Sequence, residues 1–346
     1  MTPPRLLLLD FDGTITQDDS LASLIALAIE ALPSSLSPSP SSSPPHQQNP
    51  PSPPTTPKPT TTTDPTTTNP TPETTTTAPP TNKPALTTLW TTIVHDYLAA
   101  HAAHRASYRP LAEDRTTLPE ELAFLESVAP VEQASVRRVG EAGFFRGLGE
   151  GNLEGVGGRA VRLGCQGGES EGGVRVRKGF GEFLGKFGGG DGRGDGGKGW
   201  DVAVVSVNWS GAFIKGVVEA ASGNGGIRRV VANGIGFPGG MIEGSPELGK
   251  EPLVTAGDKL RAMESVKSGL EGEKVVYFGD SATDLACLVA ADLGVVMADD
   301  GETKLLKILA RIGFEVPHVQ EAAEGDQLVW GRDFEEVLQS GVMERI

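Results

Sequence analysis

The chain has 346 residues, 38% of them hydrophobic, which is ample for one sizeable core, and its formal net charge of -15 opposes a general grip on nucleic acid or anionic lipid. Two cysteines, Cys165 and Cys287, give neither a disulfide framework nor a Cys/His zinc spacing, so the expected compartment is reducing, the cytoplasm, with the nucleus left open. No stretch approaches the roughly 20 apolar residues of a membrane span, and the run Leu6 to Leu9 is far too short for a secretory signal core.

In chain order, Leu6 to Leu9 is a short apolar run ending in a polar turn at Asp10, which suits a strand buried on both faces. A helix is predicted over 20–32. Residues 33–84 are almost entirely Pro, Ser and Thr, with 17 of the 26 prolines and no aromatic residue, so the segment cannot offset its ordering entropy and is predicted to be a disordered insertion. Its polyproline character suits a docking tract for a proline-recognising domain or a phosphorylation target; the plainer reading is a tolerated surface insertion.

Helical spacing of Leu89, Ile93, Tyr97 and Leu98 predicts a helix over 86–107, and a further helical run follows over 118–138. Residues 140–199 hold 24 of the 46 glycines and read as a flexible segment; the strand before, helix after and Lys-Ser or Lys-Thr ending of a phosphate loop are missing. Residues 174–187 look like a helix or a turn and helix.

Beyond Trp200 the pattern becomes short β-branched runs separated by helices. Strands are predicted at 202–207, 228–232, 274–278 and 293–296, and helices at 209–221, 258–268, 282–291 and 302–312. This alternation predicts an α/β fold with a parallel, doubly wound sheet whose first strand is Leu6 to Leu9. The catalytic core would comprise 1–20 and 175–346, with a helical region at 21–174 inserted after the first strand.

Open parallel sheets bind ligands beyond the carboxyl ends of their strands, and four polar groups follow the predicted strands. The first is Asp10-Phe11-Asp12-Gly13-Thr14-Ile15-Thr16. Two carboxylates two residues apart at a strand end share a side, while Phe11 points into packing. One carboxylate can attack phosphorus and form an acyl phosphate, and its neighbour can protonate the leaving oxygen and then deprotonate water. Gly13 allows a sharp turn, and Thr14 offers donors to phosphate oxygens. Taken alone, Asp-x-Asp-Gly also opens calcium loops and plain turns.

The second group is Ser206 with Asn208, before a helix, where phosphate ligation and N-capping are both available roles. The third is Lys259, which opposes the dipole at a helix start and so is expected to face an anionic site; Lys250 competes for that role. The fourth is Gly279-Asp280-Ser281-Ala282-Thr283-Asp284, whose two carboxylates suit one hard-cation site. Asp284 also reads as a first-turn helix charge and Asp280 as a loop cap. A magnesium ion would screen Asp10 from an incoming phosphate dianion and relieve repulsion among four aspartates.

With these four groups in this order, the sequence resembles the haloacid dehalogenase superfamily of phosphohydrolases, in its phosphoserine-phosphatase-like branch. The resemblance covers residues 1–20 and roughly 175–312. It implies a Rossmann-like core with a lid-type helical cap, Asp10 as the site of an aspartyl-phosphate, and Asp12 as general acid/base whose main-chain carbonyl also binds magnesium. It further implies that Ser206 and Lys259 hold phosphoryl oxygens, with Thr14 and Asn208 expected as phosphate ligands from their own positions, that Asp280 ligates Mg2+, and that Asp284 is a ligand or supports one. Ser206-Val207-Asn208-Trp209-Ser210 departs from the glycine-rich sequence common at that point in the branch, which argues against phosphoserine as substrate.

The expected activity is hydrolysis of a small phosphorylated metabolite, with neither nucleic acid nor membrane as partner. Phosphotransfer within the same superfamily, or a noncatalytic scaffold using the Pro/Thr tract, are the alternatives. His95, Tyr97, His101 and Arg105, on one predicted helix, are the cap residues expected to read the leaving group.

Overall fold

The computed structural model of the chain describes residues 5–32, 82–166, 172–188, 200–223, 226–268 and 274–346. The predicted disordered insertion at 33–84 and its docking role therefore lie, but for residues 82–84, outside the described residues.

The first strand, β1 (Arg5–Leu9), shows why the sheet is covered on both sides. Leu6 to Leu9 are all fully buried, and alternation sends Leu7 and Leu9 into one core and Leu6 and Leu8 into another. After β1 come the helices α1 (Leu21–Ala31), α2 (Lys83–Ser107), α3 (Leu118–Ser127), α4 (Ala129–Ala142), α5 (Glu150–Cys165) and α6 (Phe180–Phe187). Then follow β2 (Asp201–Val205), α7 (Gly211–Ser222), β3 (Arg229–Val231) and a small hairpin of β4 (Gly234–Gly236) and β5 (Met241–Glu243). The chain continues through α8 (Ala256–Lys267), β6 (Lys274–Gly279), α9 (Leu285–Ala290), β7 (Leu293–Met297), α10 (Lys304–Arg311), β8 (Leu328–Gly331) and α11 (Phe334–Ser340).

Six strands form one sheet in the order β3-β2-β1-β6-β7-β8, every neighbouring pair parallel. The α/β class and the five strands expected from sequence are present. Three strands were not expected: β8, which extends the sheet at one edge, and the two three-residue strands of the hairpin, too short to give a periodic signal. Chain order reverses around β1, which pairs Leu8 with Ala203 of β2 on one side and with Tyr277 of β6 on the other. That reversal opens a crevice at the carboxyl end of β1, between two strands whose connections leave in opposite directions.

One face of the sheet is covered by α1, α5, α6, α7 and α11, with Phe180, Phe183, Phe213 and Phe334 in its core. The other is covered by α8, α9 and α10, through Met263, Leu285 and Leu309. The glycine-rich segment at 140–199, expected to be flexible, is helical over α5 and α6. Its glycines serve close packing: a Cβ on Gly157 would run into the Phe213 carbonyl, and one on Gly216 of α7 into the Glu154 carbonyl. Two helix backbones thus cross almost in contact, which composition alone does not reveal. The run expected over 118–138 is split at Val128 into α3 and α4, with Pro130 in the first turn of the second helix.

Around the described ends of α1 and α2, Lys83 Nζ donates to the Glu30 carbonyl at 2.8 Å. No helix among the described residues is long and apolar enough to cross a membrane.

Candidate active site

The Asp10 loop leaves β1 with its ladder still intact, since the Asp10 N–H donates to the Phe278 carbonyl of β6 at 2.9 Å. Phe11 is buried, with its ring edge-on to Phe213 at 6.2 Å, and this packing turns the flanking carboxylates outward. Gly13 adopts φ +74°, and any Cβ there would strike the Asp280 carboxylate. The glycine therefore allows the first and fourth predicted groups to meet.

Lys259 is delivered by the capping box of α8. Thr255 Oγ1 accepts from the Asp258 N–H at 3.1 Å, and Asp258 Oδ2 accepts from the N–H groups of Val254 and Thr255, both at 2.8 Å. Lys259, in the next turn of backbone, is 1% exposed, and its Nζ lies 2.7 Å from both Asp10 Oδ1 and Asp284 Oδ1. Lys250, its competitor, is exposed in the connection before α8. Burial works against the Lys259 charge, but Asp10 and Asp284 outweigh it and raise its pKa.

Asp284 is fully buried and saturated. Its Oδ1 accepts from Lys259 and from the Tyr277 hydroxyl at 2.7 Å, and its Oδ2 accepts from the N–H and hydroxyl of Ser281 at 3.1 and 2.9 Å. Asp280 is half-buried, and its Oδ1 accepts from the Thr14 hydroxyl at 3.1 Å. Oxygens of Asp10, Asp280 and Asp284 lie within 4.8 Å of one another. Among these protein groups, burial and then Asp284 push Asp280 up to about 7 and hold Asp10 well above the usual carboxylate range despite Lys259.

The Asp12 side chain is not in that trio. Its Oδ1 accepts from the Ser20 N–H at 2.8 Å and hydroxyl at 2.5 Å, and its Oδ2 from Asn208 Nδ2 at 2.8 Å. Burial, then the charge of Asp19, lift Asp12 to about 6 against those hydrogen bonds. Of the four expected metal ligands, Asp12 thus brings no side-chain oxygen to the cluster, because Ser20 and Asn208 hold its carboxylate.

Ser206 is 1% exposed just after β2, its Oγ accepting from the Asn208 N–H at 3.0 Å and donating to no group among the described residues. Asn208 differs from the expected phosphate ligand: its amide donates to Asp12 and Ser20, and its Oδ1 accepts from the Ser210 N–H at 3.1 Å. With both ends committed, it orients Asp12.

Four contributors went unseen in the sequence. Ser20 reads as an N-cap, yet its hydroxyl makes no capping bond and turns to Asp12. Asp19 acts on Asp12 through charge. Tyr277, inside a strand covered on both faces, needs a partner for its hydroxyl, and that need was the available signal. Arg177 gave none: its Nε donates to the Gly13 carbonyl at 2.8 Å, and its Nη1 to Asp299 and the Arg332 carbonyl at 2.8 and 2.7 Å.

Two cavities sit between the helices α2 to α4 and these strand ends. One, of about 560 Å³, is lined by Tyr97, His101 and Arg105 of α2 and by Ser281 to Thr283, the residues following Asp280. The other, of about 410 Å³, is lined mainly by apolar groups, among them Trp90, Val136 and Trp209, and by Asp19. They meet at Tyr97, whose hydroxyl donates to Glu132 at 2.8 Å. His95 is exposed and lines neither.

No protein-family profile matches the chain. A Schizosaccharomyces pombe protein described as a CTO1 family protein is 27% identical over 266 residues, covering 70% of this chain and 84% of that protein. Among solved structures, a phospho-aspartyl intermediate analogue of phosphoserine phosphatase is 15% identical at a TM-score of 0.43, over 98% of this chain and 99% of that one. A phosphoserine phosphohydrolase-like protein from Francisella tularensis is 12% identical at 0.43, over 97% and 98%. Cytosolic 5'-nucleotidase IIIB bound to cytidine is 14% identical at 0.46, over 99% and 86%.

Proposed function

We propose that the chain is a magnesium-dependent phosphohydrolase of the haloacid dehalogenase-like kind, acting on a small phosphorylated metabolite through a phosphorylated Asp10. The supporting observation is that Asp10, Lys259, Asp280 and Asp284, drawn from three separate stretches of sequence, share one cluster at the carboxyl end of β1, with Asp12 two residues after Asp10 and linked by Asn208 to Ser206.

The donor set fits Mg2+: it contains hard oxygens only, and the raised pKa values of Asp10 and Asp280 express burial first and then repulsion from Asp284, both of which a divalent cation would offset. Asp10 and Asp280 would hold the ion with the main-chain carbonyl of Asp12, while Asp284, whose oxygens are all engaged, fixes Lys259. The ion would supply charge stabilisation to the phosphoryl group.

In the first half-reaction an Asp10 oxygen bonds to phosphorus as the ester oxygen leaves, and Asp12, whose pKa is lifted to about 6 so that a fraction of molecules carry its proton near neutral pH, gives that oxygen its proton. In the second, water gives its proton to Asp12 and attacks phosphorus, the Asp10–phosphorus bond breaks, and inorganic phosphate departs. Lys259, Ser206 and Thr14 supply donors to the phosphoryl oxygens, Thr14 by exchanging its bond to Asp280. The helices α2 to α4 act as the cap that encloses the leaving group.

The test is turnover of an aryl phosphate with Mg2+ or with chelator, for wild type and Asp10→Asn. The expected loss in the variant is at least about 10³-fold. Wild-type rates surviving in Asp10→Asn would exclude the covalent route.

A further inference from the structure

The larger cavity is out of character for a chain with a net charge of -15. Arg105 reaches it from α2 and Lys304 from the first residue of α10, with His101 one turn before Arg105. Among the described residues neither Arg105 nor Lys304 makes an ion pair or a side-chain hydrogen bond. The acids that line the cavity are already matched. Glu121 accepts from Arg115 at 2.7 Å and Arg311 at 2.5 Å, Glu302 pairs with Lys307 at 3.2 Å, and Glu132 takes the Tyr97 hydroxyl.

Cations without an ion-pair partner among the described residues therefore crowd one half-open cavity. Burial and then Arg105 lower the pKa of Lys304 in spite of the opposing charge of Glu121, and burial, Arg105 and Lys304 lower that of His101, so each charge is held at a cost that an anion would relieve. The cavity wall includes Ser281 to Thr283, which follow Asp280, and Thr255 with Ala256, the start of the helix that carries Lys259. An anion here would sit on the molecule whose phosphate lies at Asp10. The smaller cavity offers the opposite setting, apolar and aromatic with the carboxylates of Asp19 and Glu132 and no lining cation.

We propose that the Arg105–Lys304 chamber binds a second anionic group of the substrate, so that the leaving group carries a carboxylate or a further phosphate and no ammonium. This rests on the phosphohydrolase reading and narrows its substrate class. With its acids engaged, the chamber has no free counter-charge for an amine.

The test is calorimetric binding, with Mg2+ present, of four probes to the Asp10→Asn protein: ethyl phosphate, phosphoglycolate, the bisphosphate of ethylene glycol, and phosphoethanolamine. At least one of the two doubly anionic probes is expected to bind about tenfold tighter than ethyl phosphate, as a charge-assisted contact would give, and phosphoethanolamine no tighter. Which of the two leads identifies carboxylate or phosphate. Arg105→Met with Lys304→Met, and Arg105→Ala alone as a milder variant, should bring the ratio toward one. Equal affinities for all four probes, or a preference that survives the double substitution, would overturn the proposal. Turnover by the unsubstituted protein separates the two claims: hydrolysis of ethyl phosphate that needs Asp10 but shows no anion preference leaves the hydrolase standing and removes this inference. Anion preference without Asp10-dependent turnover of any probe does the reverse.

Discussion

The strand-end site and the chamber beneath α2 treat charge in opposite ways. Around Asp10, polar groups answer one another inside the protein: Lys259 lies between two carboxylates, Asp284 accepts four hydrogen bonds, and Asp12 is held by Ser20 and Asn208. In the chamber, Arg105 and Lys304 face space without an ion-pair partner among the described residues. Buried chemistry must be internally satisfied to be held in place, whereas a half-open recognition surface tolerates surplus charge that a ligand completes.

The contrast breaks first at Lys259. Lys259→Met would leave Asp10 and Asp284 buried together without a counter-charge, and urea unfolding should show a loss of about 3–5 kcal/mol together with lost turnover. A variant as stable as wild type would mean that the pair does not sit as close as 2.7 Å in solution.

The acid cluster is probed next by its cation. Saturating Mg2+, at a hundred times its dissociation constant, should add about 2.7 kcal/mol of stability by mass action, read as a raised Tm. Asp280→Asn should blunt that gain while making the metal-free protein more stable, because it removes a charge that burial and Asp284 disfavour. An equal Mg2+ response in both proteins would place the ion elsewhere.

A smaller effect is expected away from both regions. Gly216→Val drives a side chain into the Glu154 carbonyl at the α5–α7 crossing, and should cost about 1–3 kcal/mol in urea unfolding with kcat/KM for an aryl phosphate little changed. The smallest prediction sharpens the role of Asp12. Its raised pKa owes its second-largest cause to Asp19, so Asp19→Asn should lower it, and the limb on which kcat/KM falls as pH rises through about 6 should move to lower pH. A limb unmoved by the substitution would assign it to another group.

Much of the site was legible because strand ends announce themselves. Leu6 to Leu9 could only be a doubly covered strand, so the polar residues after it had to face the crevice, and the same logic located Ser206 and Asp280. Lys259 was legible from its conflict with the helix dipole. Chain direction did not disclose where side chains turn: Asn208 sits where a phosphate ligand would, and Asp12 near the acidic trio, yet each points at the other. The helical α5 was hidden because glycine frequency signals flexibility and close packing equally, and only a partner such as Gly216 separates the two. Arg177 belongs to the part no local pattern encodes, a side chain reaching a carbonyl 164 positions away.

The bond from Lys83 to the Glu30 carbonyl has a bearing on how this gene product tolerates change. The two helices it joins hold their own adjacent ends together, so the described structure stops at residue 32 and resumes at residue 82 at a single doorway. Closing a loop costs only about 0.6 kcal/mol more for each doubling of its length. Lengthening or shortening the sequence between the two helices should thus leave the fold of the described residues indifferent, which makes this doorway the natural place to graft a tag or reporter.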